Sequence, residues 1–271
     1  MRLGGFVIHG NSADTLERCL AGIAAVADEC VAVDSRSTDG SADLVRARGF
    51  RRVELAWRGY GAARAAAVEA LEGCSHVFFL DSDEWLEPEA IAAIRAWKAT
   101  GGGTVPYHGL VRRDWADLDG HRFLFRTEHH VRLIRREAAR WDPSMIVHES
   151  LPPAPTVQLP VHVEHRFATS VEAMRSKVDR YALLWAIRYR AEGARRKTPA
   201  VQKWVHAVRH AAFKGAIARG GADGWRLAEA VGHYHGRKYA LLRELDRGAY
   251  PELVQAYADG RLEDLYRMLP V

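Results

Sequence analysis

Val77-Phe78-Phe79-Leu80-Asp81-Ser82-Asp83-Glu84-Trp85-Leu86 is the stretch from which the fold is read. The apolar run at 77–80 matches a strand buried on both faces, as parallel sheets contain. Asp81, Asp83 and Glu84 follow at once. A carboxylate is costly to bury unless it is paired or binds a cation, so this strand delivers its acids to the rim of a cleft. Open α/β sheets bind ligands at the carboxyl ends of their strands. The spacing of Asp81 and Asp83 suits one hard cation in an oxygen cage. The same residues equally suit a plain strand end followed by a helix cap, with Glu87-Pro88-Glu89 opening the helix.

Upstream of this stretch, strands and helices alternate. Gly4–Ile8 reads as a first strand, and Asp14–Val26 as an amphipathic helix carrying Leu16, Cys19, Leu20 and Ile23 on one face. Cys30–Val33 is a second strand, ending in the turn-rich run Asp34–Gly40. Ala42–Arg48 is helical and Gly49 ends it. Arg52–Leu55 is a third strand, and Gly59-Tyr60-Gly61 opens an alanine-rich helix over Ala62–Leu71. His76–Leu80 is the fourth strand. This order predicts an α/β fold with a mostly parallel sheet and right-handed crossovers. Gly59 and Gly61 lack the third glycine of a dinucleotide fingerprint, which argues against a Rossmann dehydrogenase.

Downstream, the helical pattern after Trp97 stops at Gly101-Gly102-Gly103, and Thr104–Val111 is extended. Arg112–Glu128 is polar, aromatic and turn-rich, which predicts a long functional loop over the sheet. Val131–Ile134 and Val161–His165 read as further strands. Pro152, Pro153, Pro155 and Pro160 exclude a helix between them. From Val171 the chain is helical, with breaks near Gly193–Pro199 and at Gly220-Gly221. The expected division is a catalytic-type α/β domain over 1–168 and a basic helical region over 169–271.

The chain has 271 residues, 48% of them hydrophobic, enough for a sizeable core. Cys19, Cys30 and Cys74 form no metal-type pair and are odd in number, which points to a reducing compartment. No signal-peptide pattern opens the chain, and no stretch approaches the ~20 apolar residues of a membrane span. The expected location is cytoplasmic. The net charge of +5 is uneven: Ser170–Arg219 holds twelve Lys or Arg against three Asp or Glu. Such a segment favours polyanions or anionic membrane surfaces. Ala200–Arg219 reads as one helix with Val201, Trp204, Val205, Val208 and Ala212 on one face and Lys203, His206, His210 and Lys214 on another. That pattern fits peripheral contact with the inner face of the cytoplasmic membrane, or a helix packed inward with a solvated basic face.

These motifs together resemble the inverting family 2 glycosyltransferases of GT-A fold, in particular the bacterial lipopolysaccharide-core and lipooligosaccharide glucosyltransferase-like branch. The residues that carry the likeness are Asn11, Val33-Asp34-Ser35 with Ser37-Thr38-Asp39-Gly40, Gly59–Arg64, Leu80–Trp85, Arg132–Arg136, Val147-His148-Glu149, Lys177–Tyr181 and Gly220–Trp225. The resemblance implies a nucleotide-sugar donor, a UDP-sugar in particular, a saccharide or glycolipid acceptor, and Mg²⁺ or Mn²⁺ as cofactor. It places Asn11, Asp34, Arg64, Asp81 and Arg132 on the nucleotide-sugar. Asp83, with Asp81 and His165, would hold the metal, and Glu149 would be the base at the acceptor hydroxyl. Two positions depart from the family's pattern: Ser12 follows Asn11 where Glu is usual, and Ala65 follows Arg64 where Asn is usual.

Read from residue chemistry alone, several of these positions admit a second role. Asp34 also suits a cap for its own turn. Glu84 is the alternative base or a salt-bridge partner. His148 and His165 suit structural histidines, and His129-His130 a solvent-facing pair. Trp115 and Trp141 suit stacking on a sugar or packing in the core. The competing function is a weakened GT-A-like binding module whose basic segment meets a partner or nucleic acid. No helix-turn-helix, zinc-finger or RNP signature supports nucleic acid as a partner.

Overall fold

The computed structural model describes residues 1–270. Its first half alternates as the apolar pattern predicts. Strand β1 (Leu3–His9) leads to helix α1 (Ala13–Ala24), β2 (Glu29–Asp34), α2 (Ser41–Ala47), β3 (Arg51–Glu54), α3 (Tyr60–Ala70) and β4 (His76–Asp81). These four strands pair in parallel in the order β3-β2-β1-β4. Their register sets His9 beside Asp34 and Ile8 beside Asp81, so the acids that end β2 and β4 reach one edge of the sheet.

Strand β4 is buried on both faces, as its continuous apolar run requires. Phe78 and Leu80 pack with Leu16, Leu20 and Ile23 of α1 in one core. Val77 and Phe79 point the other way, into a core with Ala63 and Ala67 of α3 and with Trp141. Side chains alternate across a strand, so a strand between two helical layers must be apolar at every position.

The chain continues through β5 (Glu84–Trp85), α4 (Pro88–Ala99), β6 (Tyr107–Leu118), β7 (His121–Arg135) and β8 (Thr156–Ala168). Among the described residues the sheet order is β3-β2-β1-β4-β7-β6-β8-β5, and β7 runs antiparallel to β4. The long loop expected over 112–128 is instead the body of a β-hairpin. Its turn is Asp119-Gly120, with φ of 52° and 84°. Two positive φ values in a two-residue turn match the twist of the flanking strands, and Asp-Gly is well suited to it. More exposed residues alternate along it with buried Asp114, Ala116, Leu118, Phe123 and Phe125.

The remainder is helical: α5 (Val171–Ala191), α6 (Pro199–Val208), a π-helical turn at Arg209–Phe213, α7 (Ala216–Asp246), α8 (Pro251–Ala258) and α9 (Leu262–Met268). Ser170 caps α5 by accepting the Ala173 N–H at 3.0 Å. The helix expected over Ala200–Arg219 is interrupted, because the π turn widens it and Gly215 leaves it at φ 70°. Gly221, at φ 52°, kinks α7 where the Gly220-Gly221 pair predicts a break.

The chain forms two compact units. One comprises 1–113, 127–145 and 149–165; the other comprises 114–126, 146–148 and 166–271. The first holds the two cores around β4. The second holds one core built on Leu183, Ile187, Leu241 and Leu242, and another on Phe123, Phe125, Leu227 and Val231.

Candidate functional site

The acids that end β4 lie in the first unit within a network of arginines. Arg64, on α3, donates from one terminal nitrogen to Asp81 Oδ1 at 2.9 Å. Its other terminal nitrogen lies 2.8 Å from Glu149 Oε1. Arg132, on β7, donates to Asp81 Oδ2 at 3.0 Å and to Glu84 Oε1 at 2.5 Å. Arg112 adds a contact to Glu84 at 3.6 Å. Arg64 and Arg132 both sit over the ring of Phe79, at 4.8 and 4.6 Å from its centroid. Two guanidiniums are thus fixed by carboxylates at their ends and by an aromatic face beneath.

The electrostatics follow from this packing. Burial disfavours the charged Asp81, but the adjacent Arg132 and Arg64 outweigh it and hold the carboxyl below its usual range. Glu149 shows the opposite outcome: burial pushes its carboxyl up, against the pull of Arg64. Two carboxylates touching the same guanidinium are therefore driven apart in acidity, the arrangement acid–base chemistry uses. Glu149 follows His148, whose φ of 52° is unusual for a residue with a Cβ.

Glu84 is enclosed, at 1% exposure. Its Oε2 accepts the Asp81 backbone N–H at 3.1 Å and Arg132 Nε at 3.1 Å. Of the two roles open to it in the sequence, this geometry matches the salt-bridge partner. It fixes Arg132 and the end of β4 as one piece. Asp83 points elsewhere, with Oδ2 3.4 Å from His165 Nε2 on β8. Antiparallel pairing of β5 with β8 brings this about, since it sets Glu84 beside His165. Among the described residues no group of three His, Cys, Asp or Glu closes a metal cage. The pair Asp83–His165 fits a divalent cation as a partial donor set, one carboxylate oxygen and one imidazole nitrogen, with the remaining positions left to ligand oxygens and water.

On the nucleotide side, Asp34 is fully buried. Its Oδ1 accepts the Ser37 N–H at 2.9 Å and the Ser37 hydroxyl at 2.6 Å, and its Oδ2 accepts Arg52 Nε at 2.7 Å. Burial opposes its charge, but Ser37 and Arg52 prevail and lower its pKa. Asn11, at φ 49°, joins the loops after β1 and β2: its Oδ1 accepts the Thr38 N–H at 2.8 Å. Asp39 is a turn residue, bonded to Ser41 and to the Ala13 N–H at the start of α1, and its pKa falls to about 2.

A cavity of about 320 Å³ opens beside Arg64 and Arg132, lined by Phe79, Tyr107, Trp141 and Glu149 among others. Trp141 packs edge-on to Phe79 at 5.5 Å, so it serves the core and the cavity wall together. His130, expected to face solvent with His129, is half-buried in this wall, while His129 is exposed. The sequence reading did not single out Arg52 or Tyr107 for the site. The Arg51-Arg52 pair on a strand in register with the acid-bearing β2 was the available signal for the first; Tyr107 carried none.

With this geometry in place, the relatives are informative. Residues 6–149 match glycosyl transferase family 2. A lipopolysaccharide core biosynthesis glycosyltransferase, LpsC of Rhizobium meliloti (strain 1021), is 32% identical over 168 residues, 56% of this chain and 57% of that protein. The chain therefore spans little more than half the length of that relative. Among solved structures, S. aureus TarS is 15% identical over 66% of this chain and 39% of its own, with a TM-score of 0.43. Glucosyl-3-phosphoglycerate synthase from Mycobacterium tuberculosis, in complex with Mn²⁺, UDP and glucosyl-3-phosphoglycerate, is 18% identical over 61% of this chain and 72% of its own, with a TM-score of 0.39. A match that runs from within β1, through the acids that end β2 and β4, to Glu149 covers over half the sequence: the chain is a family 2 glycosyltransferase with the α/β, GT-A-like fold its motifs imply.

Proposed function

We propose that the protein transfers a sugar from a UDP-sugar to a hydroxyl of a saccharide or glycolipid acceptor of the lipopolysaccharide-core kind, with inversion at the anomeric carbon. The observation that carries this reading is the Asp81–Arg64–Glu149 chain, in which one guanidinium joins an acid held ionised to a carboxylate whose pKa is raised. The acceptor class rests on the likeness to LpsC.

In this reading Glu149 accepts the proton of the acceptor hydroxyl as its oxygen bonds to the anomeric carbon. The bond from that carbon to the diphosphate oxygen breaks in the same displacement, so no enzyme–sugar bond is needed. A base so placed contributes about 10²–10⁴ in rate. Arg64 and Arg132 are already desolvated and aimed, so they stabilise charge on the departing diphosphate with little reorganisation. Mg²⁺ or Mn²⁺ bound by Asp83 and His165, with Asp81 nearby, would neutralise further charge on that leaving group. Asp34 and Asn11 hold the loops after β2 and β1 in the form that receives the nucleoside. Cys19, Cys30 and Cys74 are free thiols, which supports a reducing, cytoplasmic setting.

The test is to incubate the purified protein with UDP-, GDP- and dTDP-sugars and Mn²⁺ or Mg²⁺, scoring release of nucleoside diphosphate. Release from a UDP-sugar that stops in EDTA is expected. Release from none of them, or release that EDTA leaves unchanged, overturns the reading.

A further inference from the structure

The second unit carries an exposed apolar surface, none of whose residues belongs to the site at the end of β4. Seven of the ten exposed large apolar side chains among the described residues fall between Val201 and Trp225. Phe213 is 85% exposed, and Val205, Trp204 and Val208 are about half exposed. The π turn contributes to this arrangement. His210 is turned inward and stacks on Phe125 at 5.8 Å, while Ala212 and Phe213 face out. Trp204 of α6 and Trp225 of α7 stack at 6.4 Å, which joins the two helices' apolar faces into one patch. Soluble proteins seldom leave such a patch open without a use for it.

The charge around the patch has one sign. From Gly193 to Ala222 the chain has seven Lys or Arg and no Asp or Glu. The nearest acids are engaged: Asp223 by His121 and Arg226, and Glu229 by Arg175 and Lys203. Arg209 stands exposed beside Val208. A twofold contact with a second copy would set this basic face against itself, which like-charge repulsion opposes. Trp, Phe and aliphatic residues with interleaved bases are the pattern of a helix lying in a lipid interface. No described helix is long and apolar enough to cross a membrane, so contact along the surface is the mode that fits.

We infer that this face binds an anionic phospholipid bilayer, with Trp204, Val205, Val208, Phe213 and Ile217 inserted at headgroup depth and Arg209 and Lys214 over the lipid phosphates. The inference does not depend on the transfer reading, and its test needs no turnover. Purified protein is floated with vesicles of phosphatidylcholine alone and of phosphatidylcholine mixed with phosphatidylglycerol. Binding to the mixed vesicles is expected, with tryptophan emission moving to the blue and weaker binding at high salt, since exposed charges are screened beyond ~10 Å at 0.1 M. Phe213→Asp should weaken partition about tenfold or more, since it removes one inserted side chain and adds a charge. Its melting temperature should not move, because the side chain lies in solvent. Val205→Asp repeats the test on α6. The inference is overturned if neutral and anionic vesicles bind alike, if neither binds, or if both variants float like wild type. It is also overturned if sedimentation velocity shows a dimer that Phe213→Asp dissociates.

Discussion

At the end of β4, Asp81, Glu84 and Glu149 each have a guanidinium against them; along α6 and the start of α7, large apolar side chains face solvent with bases between them. The first region is closed on itself. Arg64, Arg132, Glu84 and Glu149 lie largely out of water, and with the half-buried Asp81 they hold one another in place. The second is open. Trp204, Val205 and Val208 keep about half of their surface, and Phe213 most of it, for a contact outside the chain. Desolvated charge favours preorganisation, and exposed apolar area favours association.

The comparison predicts that single changes in the closed region are costly and those in the open region are silent in the folding and chemistry of the isolated protein. Glu149→Gln should show the largest effect, a loss of about 10²–10⁴ in kcat with KM for the donor little changed, read by steady-state kinetics. Its pH profile carries a second signature. A base works deprotonated, so wild-type kcat/KM should fall as pH drops through the Glu149 pKa, which burial has raised. That acidic limb should lie above the ordinary glutamate value of about 4.3 and should be absent from the variant. Asp83→Asn should lower kcat by about 10²–10³ and weaken the response to added Mn²⁺, with the melting temperature unchanged, because the isosteric amide keeps the packing.

Glu84→Gln should act on stability instead, by about 3 kcal/mol in chemical denaturation, because Arg132 loses a buried counter-charge. Asp34→Asn gives a smaller, pH-dependent change. The Asp34 pKa is depressed in the fold, so its contribution is fully present above the unfolded value of about 3.9 and is lost as pH falls through the folded value. Acid unfolding of the variant should therefore be less steep over that range. Smallest of all, Arg209→Glu should alter stability by less than about 0.5 kcal/mol and leave donor hydrolysis intact. A large loss of either would show that the open region is part of the catalytic fold and would remove the contrast.

The parallel half of the sheet was legible because continuous apolar runs and amphipathic helices encode their own burial, as β4 and α1 show. The acids were legible because three carboxylates after a buried strand need a partner. What faces each acid was not legible. Arg132 lies 51 residues from Asp81 in sequence, and Glu149 lies on irregular chain whose course no periodicity records. The hairpin of β6 and β7 resembles a loop in sequence because its residues are polar, aromatic and turn-rich, although buried and more exposed positions alternate along it. The Asp119-Gly120 turn was its clearest sign. The amphipathic character of α6 was plain in the sequence, but its orientation was not, since two opposed placements share one pattern.

Gly61 gives the site a property that distances alone do not express. A Cβ there would sit 2.2 Å from the carbonyl oxygen of Asp142, so helix α3 and the stretch 142–145 meet backbone to backbone. Arg64 stands less than a turn further along the same helix, and the stretch runs on to Glu149. Guanidinium and carboxylate are thereby referenced to one common datum. The separation of Arg64 and Glu149 is thus tied to one backbone contact that only the smallest residue permits.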